Sequence, residues 1–450
     1  MSSSPGEATP DAVAPTEQPV APLLELRGGL PPVITTDAAL AVVCRTLEAG
    51  TGPFAIDAER ASGYRYSSRA YLIQVRREGA GSFLIDPIEM TSLQPLHDAM
   101  SQDEWILHAA TQDLPCLAEV GLRPTRLFDT ELAGRLLNYP RVGLATLTET
   151  LLGQRMRKEH SAVDWSTRPL PPSWLTYAAL DVEALIELRD LLAAQLIEAG
   201  KWTWAQQEFE ALLGFEQSVR AEAWRRTTGI HKVRGRRGLG AVRALWEARD
   251  DIARERDVTP SRIIPDSAIV VAAQSLPTER STLLGLRGFH GRGADRYASR
   301  WVSALRDAIE MPEGKLPTRS PQGSGPPLPR AWADKDPVAA ARLVLAREAL
   351  AGLAETQQLP VENLLTPDHL RRTLWVPPET REPASLASEI GVQLRSHGAR
   401  EWQIDLVTPV LVAAVMTADE TPEIGTPRDD EGNDYGDGED STLSNGESTV

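Results

Sequence analysis

Short apolar runs bounded by turn residues fill the first part of the chain: FAID at 54–57, YLIQVR at 71–76 and SFLID at 82–86. Runs of this length and composition predict strands, and their close spacing predicts a meander of neighbours. WILH at 105–108 predicts one strand more. Apolar residues then return at helical intervals over Leu114–Val120, Thr130–Leu137 and Leu144–Leu152. Together these elements predict an α/β domain over residues 34–203, a mixed sheet with helices against its faces.

From about residue 204 the strand pattern fades and amphipathic helical patterns take over. A Pro- and Gly-rich stretch at 311–330 predicts an extended linker between two helical segments, 204–310 and 331–417. These segments resemble each other. Each runs a charged helix into a turn (Thr259-Pro260, Leu359-Pro360), then an Ile-Ile or Leu-Leu pair, then Pro-Asp before the next helix. An internal repeat of two all-α helical bundles follows.

Composition changes this picture mainly at the ends. Residues 1–33 are rich in Pro, Ala and acids, without the basic start and apolar stretch of a secretory signal, and are expected to be a disordered lead-in. No apolar run reaches the roughly 20 residues that span a bilayer, so a cytoplasmic protein without a membrane partner is expected. Cys44 and Cys116 are too few for a disulfide framework or a thiolate zinc site and are expected to be small buried hydrophobes. The net charge of −16 speaks against a nucleic-acid partner, but residues 418–450 hold 11 acids and one Arg and so carry −10 of it. That tail is expected to be disordered. Conversely, residues 220–243 contain eight Lys or Arg against the single acid Glu222. Within this footprint for a polyanion, Lys232, Arg234, Arg236 and Arg237 are the candidate phosphate contacts.

The candidate chemistry is a set of carboxylates. Asp57 and Glu59 stand two apart on one strand, so both side chains point to one face. Asp113 follows the WILH strand, and Asp181 lies on a helical segment four residues after Tyr177. Each feature alone is what surface acids and packed aromatics also produce. Together, four acids from three elements meet the need of two-metal phosphodiester hydrolysis for several carboxylates around two cations, and hard oxygen ligands suit Mg²⁺ or Mn²⁺. A phenol beside them can orient or help deprotonate the attacking water.

These residues carry a family resemblance. DAE at 57–59, HAATQDL ending at Leu114, FDTELAGRLL at 128–137, DWSTRPL at 164–170 and YAALD at 177–181 resemble, in order, the motifs of the DEDD exonucleases of the tyrosine subgroup, of the ribonuclease D type. Both helical segments resemble HRDC domains, the second less closely because WVPPETREP stands at 375–383. The resemblance implies a ribonuclease H-like sheet and a 3′-5′ exoribonuclease. It also implies that Asp57, Glu59, Asp113 and Asp181 hold the metals, that Tyr177 positions the water, and that the partners are RNA 3′ ends, typically of tRNA precursors. His108, Trp165 and Arg168 fall in matching segments but read equally as packing and a structural ion pair. A DNA exonuclease could use the same carboxylates; one exonuclease segment followed by two HRDC-like repeats favours RNA. A non-catalytic binding protein is disfavoured by the full set of acids and Tyr177. No organic cofactor is expected, since FHGRGADR at 289–296 lacks the strand and spacing of a dinucleotide fingerprint.

Overall fold

The computed structural model describes residues 21–157, 163–217, 221–318 and 325–420. They divide into two compact units, residues 1–322 and 323–450.

The first unit opens with a six-stranded mixed sheet: β1 (Val33–Ile34), β2 (Thr51–Arg60), β3 (Ala70–Glu78), β4 (Gly81–Ile85), β5 (Trp105–Leu107) and β6 (Leu127–Asp129), in the order β1-β4-β3-β2-β5-β6. The predicted meander is β2-β3-β4, all antiparallel; β1, β5 and β6 join in parallel. Alternation sorts the side chains of β2 and β3 onto two faces. Phe54, Ile56 and Ala58 of β2, with Ile73 and Val75 of β3, are buried in the larger core. That core is closed by α1 (Asp37–Ala49), α2 (Gln94–Met100) and α3 (Leu114–Glu119). The opposite face carries Asp57 and Glu59, opposite Gln74 and Leu72 in the β2-β3 register. After α4 (Thr130–Leu136) and α5 (Leu144–Leu152) the chain returns as α6 (Pro172–Glu183), which covers this second face through Ala178 and Ala179 against Leu72 and Leu84. The helices α7 (Leu185–Glu198) and α8 (Trp202–Leu213) complete the domain.

Three boundaries differ from the sequence expectation. Residues 21–33 are not a lead-in: Leu24 is buried, its N–H donates to the Arg155 carbonyl at 2.9 Å, and Arg27 pairs with Glu183 and Glu187. Only residues 1–20 of the expected lead-in lie outside the described residues. The α/β domain also runs past 203, because Phe128 of β6 stacks on Phe209 of α8 at 4.7 Å and Leu212 enters the sheet core. The stretch at 311–330 is held at its start, where Leu316 is buried; residues 319–324 lie outside the described ones.

The first helical segment contains α9 (Gly235–Arg256), α10 (Asp266–Ser275), α11 (Arg280–Leu284), α12 (Arg292–Arg296) and α13 (Ala298–Glu310), closed around Leu245, Phe289 and Trp301. Its α9 grips the turn after β2. Asp257, at the end of α9 with φ 46°, accepts from the Tyr66 and Ser67 N–H groups at 3.1 and 2.8 Å.

The second unit contains α14 (Trp332–Lys335), α15 (Pro337–Gln357), α16 (Val361–Leu364), α17 (Pro367–Trp375), α18 (Pro383–Ser396) and α19 (Glu401–Glu420). α15 ends on Gln358 with φ 49°, as α9 ends on Asp257. Contrary to the sequence expectation, α19 is long and apolar enough to pass for a membrane span. Half of the apolar stretch is buried, and the helix packs on α15 and α18 as a core element. It also extends beyond 417: Ala418 is buried, and Asp419 accepts from both Arg342 and Arg381. Residues 421–450 of the expected acidic tail lie outside the described residues.

Candidate active site

Three elements bring the four predicted acids to one place. The β2 strand presents Asp57 and Glu59 on the face covered by α6, and α6 presents Tyr177 and Asp181 one turn apart, as i,i+4 spacing requires. One carboxylate oxygen from each of Asp57, Glu59 and Asp181 lies within 4.8 Å of the other two. Asp113 stands outside this group of three, on the turn between β5 and α3. It is buried and close enough that the charges of Asp57 and Asp181 act on its carboxyl. The Tyr177 hydroxyl donates to Asp181. A cleft of about 160 Å³ opens over Tyr177 and Asp181, with Met156, Arg157 and Ser173 in its wall.

Burial dominates the electrostatics. It pushes the Asp57 carboxyl up to about 6, against the pull of Arg60. Burial, and then the neighbouring acids, hold Glu59, Asp113 and Asp181 well above the usual carboxylate range. The Tyr177 phenol is raised by burial and by the charges of Asp181, Glu59 and Asp57. Like charges gathered out of water disfavour ionisation. Oxygen-only donors crowded in this way, with Arg60 the cation acting on three of them, are what a hard divalent cation would relieve. The residues present fit such an ion.

A further acid supports the cluster, and it was not singled out from the sequence. Asp129, at the end of β6, accepts from the N–H groups of Ala109, Ala110, Glu131 and Leu132 at 3.1, 2.8, 2.8 and 3.1 Å. It thereby fixes both the first turn of α4 and the turn, left-handed at Ala109 (φ 56°), that leads to Asp113. Its signal was legible: an Asp directly before Thr-Glu-Leu is a helix N-cap pattern.

The other sequence candidates resolve into structural roles. Nδ1 of His108 lies 2.9 Å from the Thr130 hydroxyl, and burial lowers the ring to about 4, leaving it neutral. Arg168 forms the structural ion pair, donating to both Asp86 oxygens at 2.5 and 2.8 Å and to the Tyr71 carbonyl at 2.7 Å. Trp165 is fully buried, edge-on to Trp174 at 5.5 Å. Both cysteines are free and buried.

The basic stretch divides. Lys232 and Arg234 are exposed. Arg236, exposed as well, donates to the carbonyls of Leu316 and Pro317. Arg237 donates to those of Ala308, Ile309 and Met311 and to Glu313. The guanidinium groups of Arg236 and Arg237 thereby fasten the end of α13 and the segment after it, which leaves Lys232 and Arg234 as the candidates for phosphate contact without such a role. Arg220 lies outside the described residues.

A mixed sheet whose central strand and covering helix pool buried acids is the architecture of a 3′-5′ exonuclease, and the profile described as "3'-5' exonuclease" matches residues 31–197. The HRDC profile matches residues 238–305. The second helical segment matches, over 325–415, a profile described as "3' to 5' exonuclease C-terminal domain" rather than HRDC. Ribonuclease D of Zymomonas mobilis is 31% identical over 300 residues, covering 64% of this chain and 75% of its own. Ribonuclease D of Acidiphilium cryptum is 31% identical over 310 residues, 66% and 77% of the two chains. The chain belongs to the ribonuclease D family and is a 3′-5′ exoribonuclease, a phosphodiester hydrolase. A crystal structure of a protein from Bifidobacterium adolescentis, 37% identical, superposes with a TM-score of 0.80 over 88% of this chain and 99% of that one. Escherichia coli RNase D shares the fold, with a TM-score of 0.64 at 24% identity over 86% and 99% of the chains. The family implies use of divalent metal, with which the acid cluster is compatible.

Proposed function

We propose that this exoribonuclease is metal-dependent, with Asp57, Glu59, Asp113 and Asp181 holding two divalent cations, Mg²⁺ or Mn²⁺, at the end of an RNA strand. The observation that carries the reading is the approach of the Asp57, Glu59 and Asp181 carboxylates to within 4.8 Å of one another on the face that α6 covers. Bound cations would supply the charge that stabilises the attacking and leaving oxygens of the displaced phosphodiester. The chain's own residues do the rest. β2 and α6 fix three acids on rigid elements, and Asp129 holds the turn that delivers Asp113. Tyr177, anchored by its hydrogen bond to Asp181, orients the attacking water at the floor of the cleft. Lys232 and Arg234, exposed just before α9, bind RNA phosphates.

The substrate is the 3′ end of RNA, tRNA precursors in particular, and the place of action is the cytoplasm. Support for RNA as the substrate comes from the E. coli relative, described as an exoribonuclease involved in structured RNA processing. No organic cofactor enters this scheme.

Purified protein incubated with 5′-labelled RNA, and with the DNA of the same sequence, in Mg²⁺, Mn²⁺ or EDTA tests it. A ladder shortening from the 3′ end of RNA, abolished by EDTA and weak on DNA, is expected. Activity undiminished in EDTA, or a preference for DNA, would overturn the metal or the substrate assignment respectively.

A further inference from the structure

The β3 strand carries a polar residue where its core pattern has no use for one. Gln74 is fully buried in the middle of YLIQV, and both atoms of its side-chain amide, Nε2 and Oε1, lack a hydrogen-bond partner among the described residues. A buried amide left unmet costs about 1–3 kcal/mol, so this one calls for an explanation. Its surroundings supply one. Gln74 lies directly opposite Asp57 in the β2-β3 register and opposite Leu84 on the β4 side. Directly opposed side chains of an antiparallel pair share a face, with Cβ atoms about 5 Å apart. Leu72 and Leu84 on that face, and Ala178 and Ala179 of the covering helix, offer no hydrogen bond.

Arg76, two residues on and therefore on the same face, is the polar neighbour along the strand. One terminal nitrogen of its guanidinium is engaged, at 3.2 Å from the Ser82 hydroxyl and 3.5 Å from Glu183, but its Nε is also buried without a partner. The unmet groups are complementary, a donor on Arg76 and an acceptor and a donor on Gln74, and the carboxylate of Asp57 stands across the ladder.

We infer that Glu183, Arg76 and Gln74 are positioning residues for the Asp57 carboxylate: when a cation binds, rotation of the unmet side chains brings Arg76 Nε–H to Gln74 Oε1 and Gln74 Nε2–H to Asp57. This line of residues rests on the assignment of Asp57 to cation binding. It gives Asp57 a fixed rotamer and an indirect link to a positive charge, while the oxygen facing Glu59 and Asp181 stays free for the cation. Partners of this kind, behind a ligand rather than on the ion, commonly change metal affinity by about 10–100-fold.

The test uses the full-length protein and measures Mn²⁺ binding by calorimetric titration, and melting in EDTA, for wild type, Gln74→Leu, Gln74→Met and Asp57→Asn. Gln74→Leu is expected to weaken Mn²⁺ binding about tenfold or more. Its melting temperature in EDTA is expected to be unchanged or higher, since an apolar side chain replaces an unmet amide. Gln74→Met, which keeps the length and flexibility of the side chain, should weaken binding likewise and guards against a packing defect in the leucine variant. If Asp57→Asn loses Mn²⁺ affinity while both Gln74 variants bind within twofold of wild type, the positioning line is wrong and the carboxylate site stands. If none of the variants changes Mn²⁺ affinity, both the line and the cation assignment of Asp57 fall.

Discussion

Replacing Asp57 by Asn should make the metal-free protein more stable while destroying its activity. Asp57 is held at about 6 instead of 3.8, chiefly by burial, so ionising it in the folded state costs about 3 kcal/mol more than in the unfolded chain, at about 1.4 kcal/mol per pH unit. Because the folded value is the higher one, the group favours folding most at pH below about 4. That contribution is lost as the pH rises through about 6. The wild type in EDTA should therefore melt lower at pH 7.5 than at pH 5, and Asn, which cannot ionise, should lessen that fall. For a domain of this size, about 3 kcal/mol corresponds to several degrees. Differential scanning calorimetry in EDTA at both pH values, repeated with Mg²⁺, reads the effect: at pH 7.5 the variant should melt above wild type in EDTA and gain less from Mg²⁺. A variant that melts below wild type in EDTA at pH 7.5, with the same gain from Mg²⁺, would refute the reasoning that Asp57 sits in an acid cluster awaiting a cation.

Tyr177→Phe removes only the hydroxyl that donates to Asp181, so Mn²⁺ affinity should hold while kcat falls by about a hundredfold, the scale of a positioned proton-transfer group; an unchanged kcat would leave Tyr177 as packing. The double change Lys232→Ala and Arg234→Ala should weaken RNA binding and reduce the slope of log affinity against log salt by about 1.4, at about 0.7 per phosphate contact on a single strand. Arg237→Ala should instead lower the melting temperature, because it releases the carbonyls of Ala308, Ile309 and Met311. Truncation after Glu420 should leave stability unchanged, whereas truncation after Thr417 removes Ala418 and the Asp419 partner of Arg342 and Arg381 and should lower the melting temperature of the second unit by several degrees.

What was legible in the sequence was whatever a single element determines. Alternation in FAIDAER placed Asp57 and Glu59 on one face, and i,i+4 spacing placed Tyr177 beside Asp181, because both periodicities are local geometry. Strands of two or three residues, β1 and β6, are too short for any periodicity, so the parallel edges of the sheet went unseen. Side-chain partners far along the chain were equally invisible. Composition makes Arg236 and Arg237 look like phosphate ligands, yet their partners lie about 80 residues away or a little less, in a stretch whose prolines suggested a free linker. Gln74 left a trace, a lone amide in an apolar strand, but its significance depends on the register that sets it opposite Asp57. The end of α19 was misplaced because the acidic composition beyond it hid the helical period of its last turn.

The most direct test of the account is the cleavage of 5′-labelled RNA by Asp181→Asn at saturating Mg²⁺, with native circular dichroism and wild-type RNA affinity as controls. Asp181 is one of the three acids whose oxygens lie within 4.8 Å of one another, and it also anchors Tyr177. Loss of at least a hundredfold in the rate of 3′-end shortening, with fold and RNA binding intact, is the predicted result. Shortening at the wild-type rate by a folded Asp181→Asn protein would contradict it.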